Sequence, residues 1–407
     1  MLRGTNSEVA RGHNQRIVLE TIRLHGPVSR ADTARLTGLT RAAISNIVHD
    51  LVQRGLVLEN GRRRGRRGMP SIALELDPAG SYALGLDVDR DHLTAVLVDL
   101  VGTVRHRAHH ELDFPTPKGG IDLIAAAAEE LLAHAAVPRE RIAGVGVGFP
   151  GPLIAHADDH ACRAVAPVQF PGWQGVPIAR LLSERLGLPV LLENNASAAA
   201  VGEHWYGDHG FEHFYYVYFG AGLGGGMIAN GQPYDGYRGN AGELGYLAVR
   251  GHPGITHVGE FFHLPWLYAR LRRAGVAVAA PCDLEPLHRE GHPILRSWLD
   301  EATPHLAAAL VAIEHLFDPE AIVLGGRLPA ALLDALLEAL ERLLPALRNR
   351  GKPYPAALVR ARAGDDAAAL GLATLPIMRA FAPTPSHPRM ARPLVTGAFP
   401  APPFTGR

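Results

Sequence analysis

Cysteine is nearly missing from this chain of 407 residues: Cys162 and Cys282 are the only two. That excludes a disulfide framework and any zinc site built on several thiolates. No run of eighteen apolar residues occurs, which excludes a helical membrane span. The first residues place arginines among polar neighbours, unlike a secretory signal. These absences point to a soluble, cytoplasmic protein. Net charge is absent too, with 40 Lys+Arg against 40 Asp+Glu, but the balance conceals a division. Residues 1–70 hold 13 arginines, no lysine and five acids, a surplus of +8; the other 337 residues hold 27 basic and 35 acidic groups, a deficit of −8. A basic head on an acidic body is expected where one end meets a polyanion. Apolar residues make up 47% of the chain, enough for a packed core, and the length implies more than one domain.

The basic head reads as compact helices. Ile17, Val18, Ile22 and Leu24 recur at helical spacing until Gly26-Pro27 stops the pattern. Val28-Ser29 opens a second helix with Ser29 as its N-cap, and Gly38 ends it. Thr40 caps a third helix, whose apolar face is Ile44, Ile47, Val48, Leu51 and Val52. The short connection between the second and third helices is the helix-turn-helix pattern, in which the later helix enters the major groove. Two short strands, 56–58 and 72–74, then flank a glycine-punctuated turn that carries Arg62, Arg63, Arg64, Arg66 and Arg67. Such a pair makes a wing, and arginine suits the concentrated negative potential of a narrow minor groove. The DNA-facing candidates are therefore Ser29, Arg30, Thr40, Arg41, Ala42, Ser45 and Asn46, together with the five wing arginines. An ordinary three-helix packing unit is the alternative.

From Tyr82 onward strands alternate with helices, the mark of an α/β body. Strands are expected at 82–88, 93–99, 142–149, 190–193, 214–219, 225–229 and 321–324. Helices are expected at 121–136, 196–205, 258–273, 294–317, 330–347 and 366–380. Residues 1–13 and the proline-rich stretch 382–407 read as disordered, leaving a head at 14–77 and a body at 78–381.

Five glycine-bearing motifs follow one another in the body. Gly146-Val147-Gly148-Phe149-Pro150-Gly151-Pro152 ends a strand in a tight turn, and Glu193-Asn194-Asn195-Ala196-Ser197-Ala198-Ala199-Ala200-Val201-Gly202-Glu203 passes from strand to helix. Gly220-Ala221-Gly222-Leu223-Gly224-Gly225-Gly226 is a hairpin; Gly239-Asn240-Ala241-Gly242-Glu243-Leu244-Gly245-Tyr246 and Ile322-Val323-Leu324-Gly325-Gly326 complete the set. In this order they resemble the ROK family (repressors, open reading frames and sugar kinases), and the head resembles the winged helix-turn-helix of its xylose-repressor branch. The resemblance implies an α/β chain with an N-terminal winged helix-turn-helix followed by a two-lobed actin-like ATPase (ribonuclease H-like) sugar-kinase fold. It further implies a homodimeric or homotetrameric repressor that binds a double-stranded DNA operator and takes a sugar effector between the lobes.

Three departures separate this chain from the kinases it resembles. Where those kinases carry an Asp followed by a Gly-Gly-Thr phosphate turn, this sequence reads Asp87-Val88-Asp89-Arg90-Asp91. The glycines are gone, and the extra carboxylates repel phosphate. Where the kinase motif reads Asn-Asp-Ala-Asn, its Asp being the general base, this chain has Asn194-Asn195-Ala196-Ser197. A carboxamide has no basic form near neutrality but still donates and accepts hydrogen bonds. The resemblance carries sugar contacts onto Asn194, Asn195, Glu243 and Glu260, with Tyr246 where the family has a sugar-binding His. The family's zinc cysteines are absent; the expectation is no metal, with His252, His257 and His263 as the alternative nitrogen donors. The expected function is a sugar-gated repressor without catalytic residues or cofactor. An active kinase with a DNA-binding head, or a ligand-free body serving dimerisation, are the alternatives, and a lobe-stabilising salt bridge is the alternative role for Glu243.

Overall fold

A computed structural model describes residues 7–63, 71–112, 116–155, 163–165, 172–348 and 355–381. The chain divides near Leu76/Asp77 into two compact units. The first contains α1 (Ser7–His25), β1 (Val28–Ser29), α2 (Arg30–Thr37), α3 (Arg41–Gln53), β2 (Val57–Arg63) and β3 (Ser71–Leu76). Its strands form an antiparallel sheet in the order β1-β3-β2. The apolar stripe of α3, Ile44, Ile47, Val48 and Leu51, is buried with Val18, Ile22 and Leu74. Thr40 caps α3 by accepting from the Ala43 amide at 3.2 Å, and Gly38 closes α2 with φ +71°, a conformation costly for residues with a Cβ.

Two expectations for this unit need correction. Val28-Ser29 does not open a helix: both residues pair with Leu74 and Ala73 in the sheet, and α2 starts only after Ser29 has capped it. The stretch 1–13, read as disordered, is helical from Ser7, because Arg11 and Gln15 on α1 both bond Asp50 on α3. The arginine-rich turn at 64–70 and the stretch 382–407 lie outside the described residues.

The second unit is built on two five-stranded sheets. The first comprises β4 (Tyr82–Val88), β5 (His92–Asp99), β6 (Val104–Glu111), then α4 (Pro117–Ala135), β7 (Ile142–Phe149), a small ribbon of β8 (Leu153–Ala155) and β9 (Arg163–Val165), α5 (Ile178–Leu186) and β10 (Val190–Asn194). Its order is β10-β7-β4-β5-β6, with β10, β7 and β4 parallel and β4, β5 and β6 antiparallel. Then follow α6 (Asn195–Tyr206), β11 (Phe214–Phe219), β12 (Leu223–Ala229), β13 (Gln232–Pro233), α7 (Val258–Phe261), α8 (Leu264–Arg273), α9 (Leu284–Arg289), α10 (Pro293–Phe317), β14 (Ala321–Gly326), α11 (Ala330–Leu347), β15 (Ala357–Arg360) and α12 (Ala367–Phe381). The second sheet runs β13-β12-β11-β14-β15. Strands β4, β7, β11 and β14 are buried almost throughout, as expected of strands covered on both faces.

The helix expected at 258–273 is two, α7 and α8. Pro265, which has no amide hydrogen, sits in the first turn of α8, where that hydrogen would have no helical partner. Helices α6 and α12 meet through small residues: a Cβ at Gly202 would lie 1.9 Å from the Ala367 carbonyl oxygen, and one at Gly371 would lie 1.8 Å from that of Ala198. This close crossing anchors α6, whose N-terminus carries the Asn194-Asn195 pair.

Candidate functional site

Strand β10 runs directly into α6, and Asn194 is the N-cap: its Oδ1 accepts from the Ala196 and Ser197 amides at 2.7 and 3.3 Å. Its Nδ2 points to Glu243 Oε1 at 3.4 Å. Asn195, 3% exposed, donates from Nδ2 to the Val88 carbonyl at 3.0 Å, while its Oδ1 is buried without a partner among the described residues. A hydroxyl donor would satisfy that acceptor. Gly151 makes room here, since a Cβ on it would stand 2.0 Å from Asn194 Nδ2 and 2.5 Å from Glu243 Oε1.

All five residues expected to touch a sugar, Asn194, Asn195, Glu243, Tyr246 and Glu260, line one cavity of about 270 Å³. That is near the lower edge of small-molecule sites, ~300–1,000 Å³. Burial raises the Glu243 carboxyl to a pKa of about 7, and no ion pair of Glu243 occurs among the described residues. Glu260 is held in the opposite direction: hydrogen bonds from Thr256 and His257 keep its carboxyl below the usual range. Tyr246 stands at the cavity, half exposed, edge-on to the His257 ring at 6.2 Å.

The turn that carries Asp89 and Arg90 borders the same cavity. Asp89, 3% exposed, accepts from the Arg90 amide at 2.7 Å and from the Ala221 amide of the glycine hairpin at 3.2 Å. Arg90 Nε lies 3.3 Å from the same carboxylate, and its Nη1 donates to His263 Nε2 at 3.3 Å. Burial and the Arg90 charge push His263 down to about 4, so its ring is neutral near pH 7. The three histidines weighed as metal donors go to separate partners: His252 to Glu301, His257 to Thr256 and Glu260, His263 to Arg90. Sequence reasoning missed Trp266, which also lines the cavity; an aromatic on an amphipathic helix carries no signal of its destination.

In the first unit, Thr40, Arg41, Ala42, Ser45 and Asn46 are exposed together on the face of α3 opposite its buried stripe. Ser29 does not belong with them: it is 8% exposed, and its hydroxyl is occupied by the Asp32 amide and carboxylate. The Arg30 guanidinium is paired with Glu59 at 2.6 Å. Arg62 and Arg63 end β2; Arg64, Arg66 and Arg67 fall outside the described residues.

The profile of the ROK family matches residues 83–262 and 277–378. The xylose repressor of Bacillus spizizenii is 26% identical over 379 residues, covering 89% of this chain and 94% of the relative. Among solved structures, a ROK family transcriptional regulator described as a homolog of E. coli MLC covers 91% of this chain and 99% of its own, with a TM-score of 0.70 at 22% identity, a likeness of fold. A ROK hexokinase from Thermus thermophilus covers 72% of this chain and 96% of its own, at 30% identity and a TM-score of 0.54. With its two mixed sheets in the actin-like arrangement of those kinases and a family match spanning most of its length, the chain belongs to the ROK family.

Proposed function

We propose that this protein is a DNA-binding transcriptional regulator, a repressor of carbohydrate-metabolism genes, whose second unit binds a sugar without phosphorylating it. The observation that carries the reading is Asn195, a carboxamide held by the Val88 carbonyl; by the sequence resemblance it stands where the kinases of the family have their base. Phosphoryl transfer to a sugar hydroxyl needs a group that takes the proton, and an amide does not. Asp89 adds to this, because its carboxylate occupies the Ala221 amide and sets negative charge beside the glycine hairpin. The first unit is read as a winged helix-turn-helix, with α3 as the helix that enters the major groove. The name of the Bacillus spizizenii relative supports both the repressor assignment and a sugar as effector.

DNA fragments enriched by the full chain from a random pool supply the operator for the test. One sugar of a panel that includes xylose, glucose and N-acetylglucosamine is expected to change affinity for that operator at least tenfold. A sugar shifts this equilibrium only by binding the two conformations unequally. Failure to enrich any sequence rejects the DNA-binding half, and indifference to the whole panel rejects the effector half.

Arg41→Ala is expected to weaken operator binding, and the slope of log affinity against log salt should fall by about one. Arg66→Ala combined with Arg67→Ala should reduce the slope by about two. Unchanged slopes in filter-binding titrations would place the duplex elsewhere on the protein.

A further inference from the structure

The residues carried over from the family occupy only part of the cavity. The remainder includes Asp89, Arg90, Gly220, Gly222, His263 and Trp266. Trp266 is 55% exposed, and its ring lies 4.8 Å from that of His263, which in turn accepts from Arg90. A large aromatic face open at a cavity wall is costly to leave in water and suits a flat apolar partner. The C–H face of a pyranose is such a partner, because its polarised hydrogens meet the negative π-face while its hydroxyls remain free for hydrogen bonds.

Charge decides between the classes of group that could lie there. Arg90 is the one arginine or lysine among the described lining residues, and its guanidinium is already engaged by Asp89. Three carboxylates, Asp89, Glu243 and Glu260, line the same cavity. A phosphate would find no free cation among the described lining residues and would displace Asp89 from the Ala221 amide. A neutral ring meets no such opposition, and Arg90 can donate to its hydroxyls.

We propose that the cavity takes an uncharged saccharide of at least two rings, the first among Asn194, Asn195 and Glu243 and the second stacked on Trp266 beside Arg90. This rests on the sugar-binding reading above and specifies its ligand class.

Calorimetric titration of the full chain tests it, with xylose, glucose and N-acetylglucosamine, their β-1,4-linked dimers, glucose 6-phosphate and ATP as the probes. At least one dimer should bind about tenfold more tightly than its monomer. Trp266→Ala should erase that gain while leaving monomer affinity within about twofold, and Trp266→Phe should keep most of it. Because the side chain is largely exposed, neither variant should unfold the protein. Equal affinity for monomer and dimer, or a dimer gain insensitive to Trp266→Ala, overturns the proposal and leaves the sugar reading standing. Tighter binding of glucose 6-phosphate or ATP than of any neutral sugar also overturns it. Binding of no saccharide overturns both.

Discussion

Glu243→Gln is expected to melt at a higher temperature than the parent at pH 8 and to have lost the sugar response. Burial raises this carboxyl to a pKa of about 7 from the ordinary 4.5, and Asn194 Nδ2 at 3.4 Å is its hydrogen-bonding neighbour. The folded protein therefore binds the Glu243 proton more tightly than the unfolded chain does. Its contribution to stability is most favourable below pH 4.5, declines as pH rises toward 7, and is level above that. A shift of this size corresponds to about 3 kcal/mol at pH 8 as an upper bound, which the neutral amide would recover. Below about pH 4 this difference should disappear. Sugar binding should respond in the opposite sense, because hydroxyls donate best to an ionised acceptor and hydrogen bonds to charged groups contribute ~1.5–3 kcal/mol. Parent affinity should rise between pH 6 and 8, while the glutamine variant binds about ten to a hundred times more weakly, without that slope. Melting curves across pH and calorimetric titrations read both effects; a variant that melts lower at pH 8 would show the carboxylate to be a structural partner instead.

Arg327→Met should destabilise the second unit measurably more than loss of an exposed ion pair does. Arg327 follows β14 and reaches across to Asp91 Oδ2 at 3.0 Å and Glu111 Oε1 at 3.3 Å, with only 10% of its side chain exposed. Removing it leaves the largely buried Asp91 with His92 as its remaining cationic partner, so the cost should fall below the ~3–5 kcal/mol of a fully broken buried pair, at about 2 kcal/mol. The second tie between the same two sheets' elements, Arg107 to Asp366 at 2.6 and 2.8 Å, is half exposed, and Arg107→Ala should cost below about 1 kcal/mol. His92 gives the cluster a pH signature. Burial lowers its pKa, but hydrogen bonds to Asp87 and Asp91 outweigh burial and lift it to about 9. Its stabilisation is complete below pH 6.5 and is lost as pH rises through about 9. Chemical denaturation at pH 7 and pH 9.5 separates these effects, and equal costs for the two arginine variants would refute the ranking.

Much of the secondary structure was readable because burial leaves a local period. The α3 stripe Ile44-Ile47-Val48-Leu51 is buried as its spacing required, and strands β4, β7 and β11 begin and end where their apolar runs do. Strand β6 was not readable: Val104–Glu111 pairs only with β5 at the sheet edge, so its mixed, largely polar sequence lacks a buried face to betray it. Strand β15, four residues long at the edge of the other sheet, was missed for the same reason.

The amino-acid order alone determined the inventory: positive charge concentrated in the first 70 residues, a carboxamide at 195, and too few thiols for the family's zinc. Only tertiary structure decided which groups meet. Asp91 and Arg327 lie 236 positions apart, Asn194 and Glu243 lie 49 apart, and Trp266 comes from a third segment. Periodicity reports burial within one helix or strand, whereas a cavity is closed by elements whose side chains have no common period. The elevated pKa of Glu243 and the exposed face of Trp266 therefore arise from packing between distant segments, where low dielectric and shape are set.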